Sequence, residues 1–214
     1  MITFFGKKKI SAERTAAMFV NTLLDSVEGG FPEVAGFIRD TPEFVSTPKI
    51  SDEEYGKFLM IAIVGNFNYL NEHFRDGEGD LIIQHCVDQF APVFDLSPVA
   101  FQTKLNDYKK FMAHVNFPSK NILYSMSKAF FFKYELNQYQ DEYFRSMNTP
   151  NPIFLKSLDE VMRNFIWDWA AFCDKYKVCL FQRNVRKNRR SRITKRVVVI
   201  VPNGWNGIRD SRFR

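Results

Sequence analysis

The stretch Ser51–Arg75, SDEEYGKFLMIAIVGNFNYLNEHFR, constrains this chain most. Phe58 to Val64 is apolar all round for two helical turns. A helix of that kind is contacted from several sides and belongs at the centre of a fold. It is too short to cross a bilayer, which takes about 20 apolar residues. Ser51 and Glu54 have capping-box spacing, so the helix is expected over 52–75, with Asp52, Glu53 and Glu54 at the positive end of its dipole.

At about 100° per residue, Lys57, Asn68, Asn71 and Arg75 share one side of this helix, expected to be wet. The other side carries Tyr55, Leu59, Ala62, Ile63, Asn66, Tyr69, Leu70 and His73. Asn66 and His73 thus fall on an apolar face, flanked by Tyr55 and Tyr69. Two readings follow. One is a satisfied core network, or a helix end whose polar residues reach the surface. The other is a small ligand or enzymatic pocket of Tyr55, Asn66, Tyr69 and His73, with His73 exchanging a proton near neutral pH.

The remaining pattern is also helical. Ser11 is expected to cap Ala12–Glu28, which carries the stripe Ala16, Phe19, Val20, Leu23 and Val27. Gly29-Gly30 is expected to stop it before a short helix over 31–40. The segment 41–50 reads as a connector. Asp76, Glu78 and Asp80 have the alternation of a calcium loop, but Leu81 and Val87 stand where such a loop needs Gly and Glu. Ile82, Ile83, Cys86, Val87, Phe90 and Phe94 form the next face, with His85 opposite. Ser97-Pro98 starts a helix with the stripe Phe101, Leu105, Tyr108, Met112 and Val115. One helix is expected over 119–144, apolar on two sides, with Tyr124, Phe131 and Phe132 on the second. Another is expected from Pro152 to about Lys177, leaving Trp167 on its polar side. The fold class is therefore all-α: an irregular bundle of six or seven helices around the central one. Its core should be aromatic, since 23 of the 214 residues are Phe.

Charge divides the chain. Residues 183–214 carry 11 basic side chains and one acidic, a net +10, which leaves the first 182 residues at −4. Lys outnumbers Arg 14 to 5 before residue 183, whereas after it Arg outnumbers Lys nine to two. This suggests a helical domain over 1–178 and a basic tail over 179–214, disordered or with a short β-segment at Val197–Val201. As a genuine arm the tail would bind nucleic acid through its phosphates, by way of Arg183, Arg186, Lys187, Arg189, Arg190, Arg192, Lys195 and Arg196. The abrupt shift in composition has another reading: a segment never selected as protein. Gly204–Asp210, GWNGIRD, resembles peptides read from the antisense strand of transfer-RNA genes.

The chemistry-bearing motifs are missing. HExxH, CxxC, the phosphate-cradling Gly-rich loop before Lys-Ser/Thr and GxSxG do not occur. No His has an acid three residues before it. No catalytic residue, metal ligand or cofactor is assigned. Three cysteines at 86, 173 and 179, with no framework spacing, favour a reducing, cytoplasmic setting. Met1–Phe5 ahead of Lys7-Lys8-Lys9 reverses the order of a signal peptide and reads as a frayed end. The expected function is non-enzymatic binding of another protein through Trp167 or through Tyr124, Phe131 and Phe132. The nucleic-acid tail and the pocket on the central helix are the alternatives. Oligomeric state is not encoded in any pattern here.

Overall fold

Helix α1 runs unbroken from Ala12 to Asp40 and passes straight through Gly29, Gly30 and Pro32. The computed structural model describes residues 6–74 and 77–179. They form an all-α bundle of eight α-helices, two short 3-10 turns and one two-stranded parallel sheet.

The expected stop at Gly29-Gly30 is overridden by packing. Val27, Phe31, Val34, Ala35 and Ile38 continue the apolar period and are all buried. Each Gly costs only about 1 kcal/mol against Ala inside a helix. A full side-chain burial returns about 1.5–3 kcal/mol. Gly30 is also used: a Cβ there would lie 3.1 Å from the Phe165 ring, so its absence lets that residue approach. At the other end, the Ser11 hydroxyl accepts the Arg14 N–H at 3.2 Å, the expected cap.

Helix α2, Gly56–His73, is central as the sequence requires, with every residue from Phe58 to Phe67 buried. It starts four residues later than expected. Ser51 N–H does donate to Glu54 Oε2 at 3.3 Å, but the Glu54 N–H bonds the Ser51 carbonyl and closes a turn instead. A distant side chain serves the helix start: Tyr134 Oη accepts the Phe58 N–H at 3.1 Å and donates to the Glu54 carbonyl. Asp52 is drawn away to Arg39, 2.7 Å distant.

Helix α3, Glu78–Phe90, lies along α1. It follows Gly77 at φ 82°, a left-handed position that glycine takes without strain. Helix α4, Pro98–Asn116, begins as expected, with the Ser97 hydroxyl accepting the Ala100 N–H at 3.2 Å. Phe101, Leu105, Tyr108 and Met112 of its stripe are buried.

The two long helices expected in the second half are each divided. Helix α5 covers only Ile122–Lys133. Glu135 at φ 55° ends it, a 3-10 turn spans Leu136–Tyr139, and α6 covers Glu142–Ser146. The divider is the buried Gln140. Its amide donates to Asn137 Oδ1 at 3.0 Å and to the Thr149 carbonyl at 2.9 Å, and it accepts the Asn151 N–H at 2.6 Å. Asp141 then caps α6 through the N–H groups of Tyr143 and Phe144. Helix α7 runs from Pro152 to Arg163 and α8 from Trp169 to Lys175, separated by the non-helical stretch 164–168.

Strand β1, Lys8–Ser11, pairs in parallel with β2, Tyr176–Cys179, and Ile10 sits opposite Val178. Both side chains are buried. Residues 8–11 are therefore part of the fold, whereas Met1–Phe5, where a frayed end is expected, lie outside the described residues; the paired region continues through Cys179, the first residue assigned from sequence to the tail. Fully buried Phe19, Phe31, Phe58, Phe90, Phe101, Phe130, Phe131 and Phe154 make the aromatic core.

Candidate functional site

The four residues placed together on α2 by angle are separated by the tertiary structure. Asn66 is completely buried and saturated. Its Nδ2 donates to the carbonyls of Ala62 at 2.9 Å and Phe165 at 2.8 Å, and its Oδ1 accepts the Trp167 backbone N–H at 2.8 Å. His73 is the last residue of α2 and is exposed, although Leu70 in the same turn is buried. Its exposure matches the reading of a helix end whose polar residues reach the surface, and not the internal pocket. Tyr55 and Tyr69 are half-buried. Burial raises the pKa of both, with Glu28 adding to the effect at Tyr55 and Glu72 at Tyr69. Two surface grooves, of about 480 and 80 Å³, are lined by other residues.

Trp167 is also relocated. It belongs to the segment that Asn66 pins, not to a helix, so its projected polar-side position does not apply. It is half-buried against Phe19, Trp169 and Phe172, with ring centres 6.0, 6.0 and 6.4 Å away. Its Nε1 is buried and has no hydrogen-bond partner among the described residues. Phe131 is fully buried against Phe154, whereas Tyr124 and Phe132 are half-buried. Lys128 lies 4.5 Å from the Tyr124 ring centre.

The larger groove opens where the helix expected over 119–144 breaks. Phe132 forms its apolar side, backed by the fully buried Phe131. Glu135, Asn137, Gln138, Arg145 and Asn148 form its polar rim. Two of these hold left-handed backbone, Glu135 at φ 55° and Asn148 at φ 50°. Asn137 is committed to the fold: it donates to the Arg145 carbonyl at 3.2 Å and accepts from Gln140. Arg145 pairs with Glu142. No side-chain hydrogen bond engages Gln138 or Asn148 among the described residues. Of the lining, sequence reasoning names Phe131 and Phe132. It misses the rim, whose signal is the run of amides interrupting an apolar helix at Asn137, Gln138 and Gln140.

A second polar cluster joins α5 to α7. The buried Ser127 hydroxyl donates to Asp159. Burial raises the Asp159 pKa, while the Ser127 bond and Arg163 act the other way. Ser127 is sealed from solvent, so the pair works as an interhelical tie and not as a nucleophile and base.

The described residues contain no group of three His, Cys, Asp or Glu able to hold a metal ion. No helix among them is long and apolar enough to cross a membrane. The candidate phosphate contacts Arg183 to Arg196 lie outside the described residues. No family model, curated protein or solved structure matches the chain.

Proposed function

We propose that the protein is a non-enzymatic binding protein that receives a peptide segment of another protein in the groove at the end of α5. The groove itself carries the proposal. At about 480 Å³ it has the dimensions of a ligand site, with an apolar wall and a few polar groups at its rim. Phe132 offers an aromatic face for one apolar side chain. Gln138 and Asn148 can each donate and accept, as a peptide backbone requires. With Arg145 paired to Glu142, Glu135 leaves the rim slightly negative, which suits a peptide better than a polyanion. Tyr143 on α6 and Met147 just after it are exposed apolar side chains, at 66% and 48%.

Selection of a displayed random-peptide library on the full chain tests this. Enriched peptides are expected to move the amide resonances of residues 132–148 and to lose binding to Phe132→Ala. Selected peptides that map elsewhere, or that bind Phe132→Ala unchanged, overturn it.

A further inference from the structure

Among the described residues that line the groove at the end of α5, two are charged, Glu135 and Arg145. Arg145 is paired with Glu142. Glu135 is exposed, and its carboxylate has no hydrogen bond or ion pair with the described residues. The cations nearest it in the fold are turned elsewhere. Lys133, two residues earlier, lies 4.6 Å from the ring centre of Tyr108 and 4.5 Å from that of Phe111, both on α4. Lys57 lies 5.4 Å from the ring centre of Tyr134.

The backbone gives no reason for a carboxylate at this position. Glu135 follows the C-cap of α5 at φ 55°. Helix ends ordinarily give that left-handed place to Gly or Asn, because a longer side chain crowds the following carbonyl. Gly would take it without strain. The Glu135 side chain thus neither eases the turn nor ties one part of the described fold to another. What it does is put a negative charge on the rim, beside the aromatic face of Phe132.

We propose, on the reading that the groove receives a peptide, that Glu135 selects a peptide carrying Arg or Lys next to its apolar anchor. Phe132 meets the anchor and the Glu135 carboxylate meets the cation. A basic side chain suits both surfaces, since its methylene stem can lie along an apolar wall while its charged head reaches the rim. Arg fits better than Lys, because a guanidinium can meet a carboxylate through two parallel N–H bonds. The same carboxylate repels an acidic peptide, so it discriminates as well as attracts.

The test uses groove-binding peptides selected on the full chain. Each is resynthesised with Arg, Gln or Glu at the basic position and titrated into wild type, Glu135→Gln and Glu135→Lys. Wild type is expected to bind the Arg form about three- to fivefold more tightly than the Gln form at low ionic strength, and the ratio should narrow as salt is added. Glu135→Gln keeps the size of the side chain and should bring the ratio close to one. Glu135→Lys should prefer the Glu form over the Arg form. Glu135→Gly relieves the backbone, so it should lose the preference without losing stability in urea, which separates selection from folding. Peptides that depend on Phe132 but carry no basic residue, or an Arg preference retained in Glu135→Gln, overturn the role of Glu135 and leave the groove standing. Peptides that bind Phe132→Ala unchanged overturn the groove, and the role of Glu135 with it.

Discussion

Asn66 on α2 accepts the backbone N–H of Trp167 at 2.8 Å, across 101 residues of sequence. The same amide donates to the Phe165 carbonyl at 2.8 Å. One buried side chain therefore satisfies two backbone groups of the stretch between α7 and α8. Asn66→Ala would leave both unpaired in the core, at about 1–3 kcal/mol for each group left so. The expected outcome is a lower midpoint in chemical denaturation with an unchanged slope. Faster hydrogen exchange at Trp167 than in wild type should accompany it.

Gly65 meets Met126 where α2 crosses α5. A Cβ at Gly65 would lie 2.3 Å from Met126 Sδ, so one side chain must move. Gly65→Ala is expected to cost about 1–3 kcal/mol, as overpacking does. Met126→Ala in the same chain should recover part of that loss. A double-mutant cycle in urea measures the coupling, which should exceed about 0.5 kcal/mol for residues in contact.

Asp159 supplies a pH dependence with a definite sign. Its folded pKa is raised above the ordinary 3.8, chiefly by burial, so the folded state holds the proton more tightly than the unfolded one. The contribution is fully present below 3.8 and is lost as pH rises through the raised folded value. Asp159→Asn keeps an acceptor for the Ser127 hydroxyl and removes the titration. Its stability relative to wild type should increase from pH 3 to pH 7, less the share lost with the Arg163 attraction. Urea midpoints across that range check it.

The three cysteines should separate by reactivity. Cys86 is buried in α3, and burial pushes its thiol far above the ordinary value of 9.0. Cys173 and Cys179 are half-exposed. With a thiol-exchange reagent at pH 8, two equivalents should react in the native protein and the third only with unfolding, because the thiolate is the attacking species. Early modification of Cys86, located by mass spectrometry, would contradict the fold.

The central role of Phe58–Phe67, the helix starts at Ser11 and Ser97, and the stripes of α1 and α4 were all legible in the sequence. Each depends on residues three or four apart, where periodicity and capping act locally. The groove was half legible: Phe131 and Phe132 mark an apolar side, but its rim exists only because α5 stops at Lys133.

Where helices end was the larger decision, and it belonged to the tertiary structure. Gly29-Gly30 is a stop signal that the buried stripe of α1 overrides. Gln140 is an unremarkable polar residue in sequence, and Asn66 stands out there only by its place on an apolar face; which backbone groups their amides reach, and so where two expected helices divide, is not written in either. Tyr134 takes the place of the Ser51 cap in the same way. Local pattern settled which residues are helical and which face is apolar, because that information repeats every turn. Long-range hydrogen bonds settled where the helices break and where the Trp167 segment lies, because their partners are far apart in sequence.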